Sequence, residues 1–197
     1  MKKLVLITAL IASLSHSAFA KTQGNQVGVD LLYATAKHDY NGRNTYGKFD
    51  DKSVGYGLNY KYALNFDNVF VAPGVFAEKL GTEAKDRDRD SVLANYRYGA
   101  KVDIGYDITD QFAVYATGGA ASVNYKVDWK SVGSKTTGNK IGYVYGAGVA
   151  FSATKNLVFN LEYNIQKVDF KTPVLGGGIT TAETTLSVAK VGVSYRF

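Results

Sequence analysis

Residues 185–197 read TLSVAKVGVSYRF, and from Ala189 onward every second residue is apolar: Ala189, Val191, Val193, Tyr195 and Phe197. Between them lie Lys190, Gly192, Ser194 and Arg196, all small or charged. A strict period of two describes a strand with two chemically opposite faces. Such a strand needs neighbours of the same kind, and the residues before it supply seven.

The first spans 26–36, with Val27, Val29, Leu31 and Tyr33 on one face and Gly28, Asp30 and Ala34 on the other; Leu32 breaks the pattern. The second, 53–63, sets Val54, Tyr56, Leu58, Tyr60 and Tyr62 against Gly55, Gly57, Asn59 and Lys61. The third, 69–80, begins apolar on both faces, and Pro73, which lacks a ladder donor, predicts a bulge there. The fourth, 91–106, sets a run from Val92 to Tyr106 against Asn95, Arg97, Lys101 and Asp103. In the fifth, 112–128, Tyr115, Ala121, Val123, Tyr125 and Val127 form the apolar face, opposite Gly118, Ala120, Ser122, Asn124, Lys126 and Asp128. The sixth, 140–152, and seventh, 157–168, alternate as cleanly, the seventh with Asn160, Glu162, Asn164 and Gln166 on its polar face.

Short turns near 65–68, 107–111 and 154–156 alternate with four long polar connections, about 37–52, 81–90, 129–139 and 169–184. That asymmetry predicts an all-β fold, an eight-stranded antiparallel up-and-down transmembrane β-barrel. Strand one must pair with strand eight, because an open edge in lipid leaves backbone groups unpaired at several kcal/mol each.

Alternation alone also suits a soluble carrier barrel, so the faces must be assigned. An eight-stranded interior has room only for packed side chains, and the Tyr-, Val-, Leu- and Phe-rich face would overfill it. Turned outward, that face forms a lipid band with Tyr62, Tyr106, Phe151, Tyr195 and Phe197 at one rim and Tyr33, Tyr56, Tyr125, Trp129 and Tyr143 at the other. The opposite face then carries a charged interior. Its expected cations are Lys61, Arg97, Lys101, Lys126, Lys190 and Arg196, and its anions Asp30, Glu78, Asp103, Asp128 and Glu162. Near-balance is what burial demands of such a set.

Residues 1–20 combine Lys2 and Lys3, an apolar run from Leu4 to Leu14 and Ala18-Phe19-Ala20, which predicts a cleaved signal peptide and a barrel domain over 21–197. No later stretch offers 18 continuous apolar residues, so no transmembrane helix is expected. The net charge of +6 falls when the signal leaves, and no Lys/Arg stripe points to nucleic acid. With no cysteine, the fold is held without disulfides.

The segments YRYGAKVDIGYDITDQFAVYATGG, YGAGVAF, NLVFNLEYN and the terminal VGVSYRF resemble the OmpA/OmpX and opacity-protein-like small outer-membrane barrels, and more narrowly the small surface adhesins of rickettsiae. The resemblance covers essentially the whole chain after residue 20, with no domain expected beyond Phe197. It implies an outer-membrane location with loops at the cell surface. It also implies that the assembly machinery reads the C-terminal strand ending in Phe197, and that the outer loops meet host-surface or serum proteins. The candidate contact residues are Tyr40, Arg43, Tyr46, Phe49, Lys130, Lys135 and Lys171.

Catalysis finds little support. The only histidine after residue 20 is His38, beside Asp39, and no His-x-Ser pair accompanies it. No metal-ligand spacing occurs, and Gly176-Gly177-Gly178 lacks the lysine of a phosphate-binding loop. Neither an enzyme nor a cofactor is expected. Three readings remain: a surface adhesin, a structural envelope barrel, and a narrow porin-like channel. Balanced interior charge ranks the channel last.

Overall fold

The computed structural model describes residues 22–40, 48–85, 90–129, 134–174 and 178–197; the side chains of 37–51, 82–94, 125–137 and 169–184 lie outside this description. The expected signal segment, 1–20, also lies outside it. The described chain forms eight strands: β1 (Gly24–Tyr40), β2 (Lys48–Phe66), β3 (Val69–Lys85), β4 (Asp90–Asp107), β5 (Phe112–Trp129), β6 (Ser134–Ser152), β7 (Leu157–Val174) and β8 (Gly178–Arg196). They close in sequence order into one antiparallel barrel. The seam joins β1 to β8, from Gln26 opposite Arg196 to Tyr40 opposite Ala182.

The large apolar residues face out. Leu31 is 67% exposed, Val54 75% and Tyr143 81%, values a water-facing surface would not sustain and a lipid face requires. Both aromatic rims are present: Tyr62, Tyr106, Tyr195 and Phe197 are exposed at the short-turn end, Tyr33, Tyr56 and Tyr143 toward the other. Tyr195 and Phe197 stack edge-on, with ring centroids 4.9 Å apart.

Three expectations need correction. First, most of the long connections are strand. Each strand has 17 to 19 residues, or about 60 Å at roughly 3.3 Å per residue. Tilted by about 40°, it rises roughly 45 Å, against an apolar band of about 25 Å. Polar composition signalled water, but a strand stands in water as long as its backbone stays paired. Second, the irregularity in β3 is not at Pro73, which keeps register opposite Val102; the register shifts between Lys79 and Thr82, where Gly81 takes a positive φ of 65°. Third, β5 has the opposite phase. Tyr115, Ala121 and Val123 are buried inside, while Val114 faces out and Ala116, Gly118 and Ala120 share its exposed face. Tyr115 sits level with Gly105 on β4 and Gly148 on β6, and it is Gly148 that leaves its ring room. A Cβ on Gly148 would stand 2.5 Å from the Tyr115 ring.

At the long-hairpin end the closed barrel divides. Pairing between β2 and β3 ends at Tyr56 opposite Lys79, and between β6 and β7 at Tyr143 opposite Lys167. The other six pairings run on nearly to the hairpin tips. Two four-stranded arms result, β7-β8-β1-β2 and β3-β4-β5-β6.

The interior is layered. Near the short turns lies an apolar cluster of Ala63, Phe70, Ala72, Ala113, Tyr115, Ala150 and Val158. Toward the arms lies another, of Leu32, Ala34, Ala36, Leu80, Val123, Val168, Leu186 and Val188. Leu32, the exception in its strand's alternation, belongs to this upper layer. The charged residues are held between the two.

Candidate functional site

Between those layers, seven buried side chains form one chain of alternating sign. Lys61 Nζ lies 3.3 Å from Asp103 Oδ2, and Lys101 lies 3.3 Å from Asp103 Oδ1. Lys101 also pairs with Glu162, whose Oε1 is 3.2 Å from Lys190. Lys190 reaches Glu78 at 2.6 Å, and Glu78 takes Arg97 at 2.5 Å through Nη2 and 2.7 Å through Nε. Asp30 accepts from Asn59 Nδ2 at 2.7 Å and shares a cavity with Lys61, Lys101 and Lys190. Lys61, Arg97, Lys101 and Lys190 thus face Asp30, Glu78, Asp103 and Glu162, four against four. Placed singly in an apolar interior, each would be strongly disfavoured; together they compensate.

Neutral groups complete the network. Tyr115 Oη donates to Glu162 at 3.1 Å and Asn164 Nδ2 to Glu162 at 2.9 Å, while Asn164 Oδ1 accepts from Arg97 at 3.0 Å. Gln166 Nε2 donates to the Ala121 carbonyl at 2.8 Å. The Phe76 ring lies under both Arg97 and Lys190, at 5.2 and 4.9 Å. Two glycines make the room: a Cβ on Gly192 would fall 2.1 Å from Asp30 Oδ1, and one on Gly57 2.7 Å from Glu78 Cγ. A cavity of about 20 Å³ lies among Asp30, Lys61, Lys101 and Lys190, enough for a single water.

The other expected interior residues are not members of this chain of ion pairs. Arg196 is buried at the short-turn end, where Nη2 donates to Ser152 Oγ at 3.0 Å, in the field of Asp107. Lys126 and Asp128 have the parity of outward-facing Val114, and their side chains lie outside the described residues. Sequence reasoning overlooked Tyr115, because it assigned the wrong phase to β5; the glycines flanking it on both neighbouring strands were the available signal. It also overlooked Asp107. This carboxylate accepts from Thr22 Oγ1 at 2.6 Å, Thr22 N at 3.2 Å and Asn65 Nδ2 at 2.8 Å, and so holds the segment before β1 across the barrel mouth to β4.

Of the candidate contact residues, four fall on described strands at the opposite end. Tyr40 ends β1, Phe49 pairs with His38, Lys135 with Asp128 and Lys171 with Thr181. Their side chains, and all of Arg43, Tyr46 and Lys130, lie outside the described residues. Among the described residues no group of three or more acidic or imidazole side chains is placed to hold a metal ion.

Comparison with known proteins agrees with this geometry. Residues 6–197 match the model of the outer membrane protein beta-barrel domain. The attachment invasion locus protein of Yersinia pseudotuberculosis is 27% identical over 172 residues, covering 86% of this chain and 90% of that protein. The virulence membrane protein PagC of Salmonella typhimurium is 25% identical over the full length of both. Among solved structures, Neisserial surface protein A superposes with a TM-score of 0.58 at 18% identity, covering 88% of this chain and 97% of that one. Ail of Yersinia pestis, in complex with the heparin analogue sucrose octasulfate, gives 0.54 at 19% identity, covering 88% and 99%.

Proposed function

Because this chain belongs to the outer membrane protein beta-barrel family and is a protein of the bacterial outer membrane, we propose that it is an adhesin whose surface hairpins bind host-cell surface or serum proteins. The observation that carries the reading is the division of the barrel into a sealed part and an open part. Inside the apolar band every described ion pair is internal and the interior is plugged by two apolar layers. Chemistry toward the outside therefore falls to the arms. The names of the relatives point the same way, two being attachment invasion locus proteins.

The same sealed interior disfavours the channel reading and supports a barrel that acts as a scaffold, without catalysis. The C-terminal strand, its apolar face ending at Tyr195 and Phe197, is the segment the assembly machinery reads, and residues 1–20 are removed on export. The test replaces residues 37–52 and 169–184 with short Gly-Ser turns and measures adherence of cells displaying each variant to cultured host cells. Loss of adherence is expected, with the barrel retaining its heat-modifiable shift on a denaturing gel. Undiminished adherence by a correctly assembled double variant overturns the reading.

A further inference from the structure

In the closed barrel every strand is joined by the chain directly to a neighbour it pairs with, except across the β1–β8 seam, which brings together the two ends of the chain. We propose that residues 22–24 form a strap that locks this seam at the short-turn end, seating once β1 and β8 have paired and then keeping them from parting. The proposal is independent of the adhesin reading.

One end of the strap is gripped from across the barrel mouth. Thr22 Oγ1 donates to Asp107 Oδ1 at 2.6 Å and Thr22 N to Asp107 Oδ2 at 3.2 Å. Asn65 Nδ2, on β2, donates to the Thr22 carbonyl at 3.4 Å and to Asp107 Oδ2 at 2.8 Å. All three polar groups of Thr22 are therefore bound, although neither strand that binds them is β1 itself. Thr22 and Asp107 are both buried, and bonds to a carboxylate shielded from water are the stronger kind. A segment with no pairing role of its own is thus tied to the last residue of β4 and to the end of β2.

The other end passes over the last residue of the chain. Gly24 has a φ of 100°, open to glycine at little cost, and a Cβ there would stand 2.9 Å from the Phe197 carbonyl oxygen. Phe197 N donates to the Asn25 carbonyl at 3.0 Å, the last bond of the seam at this end. Arg196, one residue earlier on β8, lies in the field of Asp107. The same carboxylate on β4 therefore acts on both partners of the seam, on β1 through Thr22 and on β8 through Arg196. With β8 absent, the contact that shapes Gly24 and the charge opposite Asp107 are both missing, so the strap is complete only when both strands are home. Elsewhere a turn holds two paired strands at high effective concentration; the strap does so without a covalent bond for the one pair that has no turn.

The test uses the barrel of residues 21–197 in lipid nanodiscs, with amide hydrogen exchange followed by NMR. Two variants are compared with it: Asp107→Ala, which releases the grip, and deletion of residues 21–23, which removes the strap and leaves Asp107 and Arg196 in place. In both, the seam amides of 25–28 and 194–197 should exchange about tenfold faster, the factor that one charge-assisted hydrogen bond is worth. The amides of 113–116 and 147–150, paired at the same end of β5 and β6, should stay within about twofold of the unaltered barrel. Seam exchange unchanged in the deletion variant overturns the proposal, because the strap then holds only itself. Equal acceleration of the seam and of β5–β6 overturns it as well, because the loss is then global. So does a seam that loosens in Asp107→Ala but not in the deletion variant, since the effect then runs through Arg196 alone.

Discussion

Replacing Asp103 with asparagine should destabilise the barrel more than replacing Glu162 with glutamine, although Glu162 has the more partners. Glu162 meets Lys101, Lys190, Tyr115 and Asn164, whereas Asp103 meets Lys61 and Lys101. What decides the cost is which cation is left without a carboxylate. Glu162→Gln leaves Lys101 with Asp103 at 3.3 Å and Lys190 with Glu78 at 2.6 Å. Its cost is that of weakened charge-assisted hydrogen bonds, about 1.5–3 kcal/mol. Asp103→Asn leaves Lys101 with Glu162 but strands Lys61, which among the described residues has no other carboxylate within ion-pair distance and keeps only the Tyr115 ring at 5.2 Å. A buried charge that loses its partner costs about 3–5 kcal/mol, and a void of about 20 Å³ cannot hydrate an ammonium group. Lys61→Met in the Asp103→Asn background removes the stranded charge and should restore most of the loss. The assay is urea unfolding from phospholipid vesicles, followed by the fluorescence of the single tryptophan, Trp129, with linear extrapolation at unchanged slope. The reasoning fails if Glu162→Gln costs as much as Asp103→Asn, or if the double variant is no more stable than Asp103→Asn alone.

Gly192→Ala places a Cβ 2.1 Å from Asp30 Oδ1 and should cost about 1–3 kcal/mol as an overpacked site, read by the same unfolding assay; Gly118→Ala, where an added Cβ meets nothing within 4 Å, should be neutral. Asp107→Ala releases Thr22 and Asn65. The amide of Thr22 should then exchange at the rate of an unstructured residue while those of β4 remain protected, and retained protection at Thr22 would show that Asp107 does not hold it. In planar bilayers the wild-type barrel should give no stepwise conductance; open channels of stable amplitude would contradict the sealed interior.

The strand count, the order and most of the lipid face were legible because lipid imposes one rule on every strand: apolar residues at alternate positions over the width of the band. The hairpin lengths were not legible. Segments such as 169–184 are polar, and polarity reports water, not the end of backbone pairing. The members of the ion network were readable from their parity, but their partners were not. Lys101 and Glu162 are 61 positions apart, and whether they meet depends on strand tilt and stagger, which place residues of different strands at one height. The phase of β5 failed for a different reason. Val114, Ala116, Gly118 and Ala120 are too small to announce a lipid face, and Tyr115 is bulky enough to imitate one.

That failure bears on what the charged interior is for. In a strand with one polar and one apolar face, a slip of one residue sends every side chain to the opposite side. For β4 this would push Arg97 and Lys101 into lipid at roughly 2–4 kcal/mol each near the midplane, with Asp103 beside them; the same penalty protects the phases of β2 and β8 through Lys61 and Lys190, and a smaller one that of β7 through Glu162. The interior ions therefore specify register as well as contributing to stability. The inward face of β5 from Ala113 to Val123 has no charge to enforce its phase. Its phase comes from its neighbours: Lys101 on β4 sets the ladder opposite Gly119, and the space over Gly148 on β6 takes the Tyr115 ring on the inward side. Tyr115 Oη then donates to Glu162, which ties β5 to the charged network. Tyr115 is accordingly the register pin of β5. A smaller residue there removes both the fill beside Gly148 and the bond to Glu162, and so brings the inward and outward phases of β5 closer in energy.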